Sequence, residues 1–215
     1  MSKALVKSAF TVGLLVLLMS VPVYGASINK SINIDAGSES DGATSVNGSI
    51  TVGDGAAVTG DLTTVNGKVR VGDDARIEDA STVNGGLTVG DNVTADSLET
   101  VNGSIKVGQG SQISGNIGAV NGGITLETGV VAADDVGNVN GSIDLEGSEV
   151  GGDVETVSGN VHRSDGARVT GNLLVEKPSS WGWNNNDKKM PEIIIGPGSV
   201  VEGSIVLERE VKLYI

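Results

Sequence analysis

The chain has 215 residues, a formal net charge of −13, 33 glycines and only 2% aromatic residues. No cysteine is present, which excludes disulfides, thiolate metal sites, a cysteine nucleophile and a lipidated cysteine behind a leader. The acidic balance argues against nucleic-acid binding, which needs a basic surface. A core of valine and isoleucine with so much glycine fits a thin, regular β architecture.

The first segment reads as a targeting signal. Lys3 and Lys7 form a positive start, Ala9 to Met19 is an apolar run of 11 residues, and Val23 and Gly25 suit cleavage after Gly25. The run is short for a spanning helix, which needs about 20 residues. Residues 1–25 are therefore expected to be a cleaved leader, and the mature protein periplasmic or secreted from a bacterium. Removing two lysines and no acid leaves 12 basic and 27 acidic residues, a net charge of −15.

An internal repeat dominates the rest of the chain. Val-Asn-Gly begins at Val46, Val65, Val83, Val101, Val120 and Val139, with Val157-Ser158-Gly159 as a seventh copy, in steps of 19, 18, 18, 19, 19 and 18 residues. With the valine as position zero, position +4 is Ile50, Val69, Leu87, Ile105, Ile124, Ile143 and Val161. Position +6 is aliphatic in every copy except Arg163. This alternation is the period of a strand with one face buried. Positions +10 and +12 pair a small with a large residue, as in Ala56/Val58, Val93/Ala95 and Ala167/Val169, which keeps the volume of a packed layer constant. The coil starting at Val139 breaks this pattern at Glu149 to Gly151, so a local shift is expected there. A third inward site runs through Leu62, Leu98, Ile117, Val136, Val154 and Leu173. The corner valine is also expected to face the core.

The pattern predicts an all-β, single-stranded parallel β-helix spanning residues 26–215, with three-sided coils of 18–19 residues, right-handed by the crossover rule. Ile28-Asn29 with Ile32 and Ile34 gives a degenerate first coil. Val175 is read as position zero of a coil interrupted by an insertion at 178–191, and Leu207, Val211 and Leu213 as zero, +4 and +6 of an incomplete tenth. Nine coils at about 4.8 Å give a rod of about 40 Å. One coil buries too few aliphatics to offset the ordering of its backbone, so neighbours must cover both faces of each layer. At the corner, asparagine and glycine tolerate left-handed backbone. Stacked asparagines would bond along the rod as a ladder.

Three segments, VGDGAAVTGDL from Val52, RSDGARVTGNL from Arg163 and GPGSVVEGSI from Gly196, resemble the repeats of bactofilins, the polymer-forming cytoskeletal proteins of bacteria. The resemblance covers most of residues 46–207. It implies a right-handed β-helix that polymerises end to end without nucleotide. Bactofilins are typically cytoplasmic, and the leader departs from that habit. Thr156-Val-Ser-Gly159 is also similar to repeats of exported adhesins.

No phosphate loop, nucleophile elbow or zinc motif stands out, so an enzyme, a metal site and a cofactor are not expected. Asp54, Asp73 and Asp91 would stack; they are read as solvated turn residues in preference to a Ca²⁺ row. His162 should point outward, between inward Val161 and Arg163; Arg163 either faces inward or marks a distortion that keeps its charge in water. The only tryptophans, Trp181 and Trp183, sit in the insertion and are candidates for stacking on sugar or contacting a protein. Ile32, Ile34, Val211 and Leu213 lie on the terminal strands and are candidates for self-association. Together these features suggest a self-associating structural rod of the cell envelope. The alternative is a monomeric adhesin or polysaccharide-binding module using the tryptophan loop, with a cell-envelope polysaccharide or surface protein as partner.

Overall fold

The computed structural model describes residues 28–178 and 190–215. The leader expected at 1–25 and the tryptophans of the insertion lie outside the described residues.

Each coil crosses three sheets in turn. Positions +4 to +6 form a ten-stranded parallel sheet, positions near +12 a six-stranded sheet, and the residues before the corner a nine-stranded sheet. The pair Glu39–Ser40 and Ala57–Val58 extends the six-stranded side through bridges from Ala57 to Arg76 and from Arg76 to Thr94. No helix occurs among the described residues. The chain is thus an all-β parallel solenoid of about nine turns.

The column assignments hold where the repeat is regular. Ile50, Val69, Leu87, Ile105, Ile124 and Ile143 follow one another in register along the ten-stranded sheet. Each is at most 1% exposed. The small/large pairs and the third column are also interior, from Ala56 and Val58 to Ala167 and Val169, and from Leu62 to Leu173. The shift expected after Val139 is a one-residue shortening of the turn. Val150 pairs with Ala132 and Val169, so Ser148 and Val150 are the inward pair of that coil.

Three expectations need correction. First, the corner valine does not face the core. Val46 is 37% exposed and its counterparts to Val157 are all part-exposed, whereas Ser45, Thr64, Thr82, Thr100 and Thr156, one residue earlier, are buried. The strand Leu98–Asn102 carries the alternation through the corner: Leu98 in, Glu99 out, Thr100 in, Val101 out. Second, Val175 pairs with Thr156 and Leu207 with Val175, so both belong to that threonine column and not to position zero. Third, Leu213 pairs with Ile193, which pairs with Val161, so Leu213 is at +4 and Val211 two residues before it.

Candidate functional surfaces

The corner after the nine-stranded sheet is the most repetitive feature of the surface. Asn29, Asn47, Asn66, Asn84, Asn102, Asn121 and Asn140 form the expected ladder, each Nδ2 from Asn47 onward donating to the Oδ1 one coil earlier at 2.8–3.0 Å. It stops where Ser158 replaces asparagine.

The glycine serves a different purpose from the one expected. Of the seven corner glycines only Gly141 has a positive φ. A Cβ on Gly67, Gly85, Gly103 or Gly122 would instead run into the carbonyl oxygen of the glycine one coil before. Glycine is required here for close approach of stacked coils. Left-handed backbone occurs mainly in the turn after the ten-stranded sheet, at Gly55, Asp74, Asn92, Gly110 and Gly129.

The buried threonines complete this corner. Thr64, Thr82 and Thr100 donate from Oγ1 to the carbonyls of Gly48, Gly67 and Gly85 at 2.8–2.9 Å. Asn138 takes the same place and donates to Gly122, with Thr156 donating in turn to Asn138 Oδ1. Sequence reasoning missed this set, although a threonine precedes several of the Val-Asn-Gly copies and the signal was there to be read.

Carboxylates at the other corners are also spoken for by backbone. Asp54, Asp73 and Asp91 accept the N–H groups of Asp73, Asp91 and Gln109. On the corner before the nine-stranded sheet, Asp79, Asp135 and Asp153 accept from Ser97, Asp153 and Asn172. Burial pushes Asp79 above the usual carboxylate range, and the charges of Asp61 and Asp96 add to the effect. Burial also raises Asp135 and Glu99, the latter helped by Asp79. Among the described residues no three metal-ligating side chains converge.

His162 points outward and its Nδ1 lies 2.8 Å from Asp144 Oδ1, directly beneath it in register. Arg163 is inward, in a regular strand, and only 1% exposed.

The self-association candidates lie at the two ends of the ten-stranded sheet. Ile32 and Ile34 are on its first strand, paired only with Ile50–Val52; Leu213 is on its last, paired only with Glu192–Ile195, and Val211 just precedes it. Nine strand spacings separate the two ends, about 43 Å. Ile32 and Val211 are half-buried and Ile34 is 7% exposed. The last described layer differs from the one before it: Ile205, Leu207 and Leu213 are 38%, 38% and 41% exposed, while Leu173, Val175 and Ile193, their partners one coil before, are 0% exposed.

No family model, no curated protein and no solved structure matches the chain.

Proposed function

We propose that this chain is a non-catalytic structural rod of the bacterial cell envelope, exported by its leader and self-associating end to end. The observation that carries the reading is the last described layer. Its inward columns remain apolar but are about two-fifths exposed, against none one coil earlier. An open strand edge beside an apolar layer is a template for pairing with another chain. The same columns that bury aliphatics inside the rod would bury them across a junction between two copies. The bactofilin-like repeats and the positive, then apolar, N-terminus support assembly and export respectively. The opposing force is the acidic charge, which repels copies and is screened by salt.

Sedimentation of the folded protein from low to physiological ionic strength tests this. Association should strengthen with salt and be lost in the double variant Ile34→Lys, Leu213→Lys. A monomer at high concentration in both conditions would overturn the reading and favour a monomeric binding module.

A further inference from the structure

Among the described residues Arg163 is the only charged side chain that is fully buried, at 1% exposure. It occupies a core column, paired with Leu145 on one side and Ile195 on the other. Its Nη1 donates to the carbonyl of Val200 at 3.2 Å, so the guanidinium crosses from the ten-stranded sheet to the six-stranded one. Its Nε and Nη2 find no acceptor among the described residues. The hydroxyl of Ser199, next to Val200, is also buried without a partner. The register stacks Ser148, Ala167 and Ser199 in one column, so small side chains flank the arginine's route.

A guanidinium does not lose its proton in a protein, so burial leaves a full positive charge to be compensated. Removing such a charge from water without a partner is strongly unfavourable. Burial lowers the affinity of Arg163 for its proton, with no neighbouring carboxylate acting in the other direction. A negative group that accepts hydrogen bonds and is small enough for layers about 4.8 Å apart would compensate it. The neighbouring layer, at Ile195, Ser199 and Val201, is only part-buried.

We propose that the rod binds a monovalent anion of the halide class in its interior, held by Nε and Nη2 of Arg163 and the hydroxyl of Ser199. This site does not depend on the self-association reading. Chloride titrated into the full chain, with gluconate holding ionic strength constant, is the probe. The ³⁵Cl resonance should broaden in excess of buffer, bromide should reverse the broadening, and Tm should rise by about 3–5 °C per tenfold chloride above Kd. Arg163→Leu matches the aliphatics of the flanking coils and should abolish both effects; Arg163→Met serves if the leucine variant does not fold. Absence of chloride-specific broadening and Tm shift in the unmodified protein would overturn the proposal, as would their persistence in a folded variant.

Discussion

Replacing Thr100 by valine tests whether the inward threonine column holds the corners together. Thr100 is 0% exposed and its Oγ1 donates to the Gly85 carbonyl at 2.8 Å. Valine has nearly the same shape, so packing in the layer is preserved while the hydrogen bond is lost. A buried acceptor left unpaired costs about 1–3 kcal/mol. At about 2–4 °C per kcal/mol for a domain of this size, Tm should fall by about 2–12 °C. The same chemical change at Thr88, which is exposed on the ten-stranded sheet, should leave Tm nearly unmoved. Since stacked coils open locally as well as globally, native-state hydrogen exchange is the sharper assay. The Asn102 amide, bonded to Val83 at 2.7 Å, should exchange about 5–150-fold faster in Thr100→Val. Equal stability of the two valine variants, with unchanged exchange at Asn102, would refute the role assigned to the column.

Aspartate at Ile105 should destabilise by several kcal/mol, because it places an unpaired carboxylate in a layer that is 0% exposed. Aspartate at part-exposed Val101 should cost less than about 1 kcal/mol; denaturant titration that ranks the two the other way would return the corner valine to the core. Glu99 binds its proton more tightly folded than unfolded, first because it is buried and then because Asp79 is near, so stability should rise as pH falls from neutral into the window just above 4.5 and be lost as pH rises through the folded value. Glu99→Gln should flatten this dependence and raise Tm at neutral pH; a parallel pair of Tm-against-pH curves would contradict the assignment.

How far the fold was legible depended on how strictly each residue is constrained. Interior columns such as Ile50 to Ile143 carry a period-two signal repeated at every coil, and a one-residue slip would turn every side chain to the wrong face. The asparagine ladder was equally readable, because identical side chains at identical heights have each other as partners. The corner valine misled because recurrence of an aliphatic residue through seven copies resembles a core column. Its threonine neighbour recurs too, but it is polar, so the recurrence does not by itself suggest burial; the bond to a glycine carbonyl supplies the reason for it. Beyond the copy at Val157 the Val-Asn-Gly marker is absent, and Val175 and Leu207 are valine and leucine in the threonine column. Composition there pointed to position zero, while the hydrogen-bonded register placed both residues one step earlier.

The same contrast locates the specificity of the rod. Aliphatic columns are interchangeable within limits of volume, as the swapped pairs Ala56/Val58 and Val93/Ala95 demonstrate. The turns tolerate a change of length: the coil after Val139 loses one residue between Leu145 and Ser148, with Gly147 at φ 56°, and Val150 still stacks on Ala132. The corner glycines allow no such latitude, since even one carbon added at Gly85 or Gly103 would meet backbone that the stack itself holds in place. The core supplies the drive to stack, and the glycine, threonine and asparagine of each corner fix the height and register at which the next coil settles.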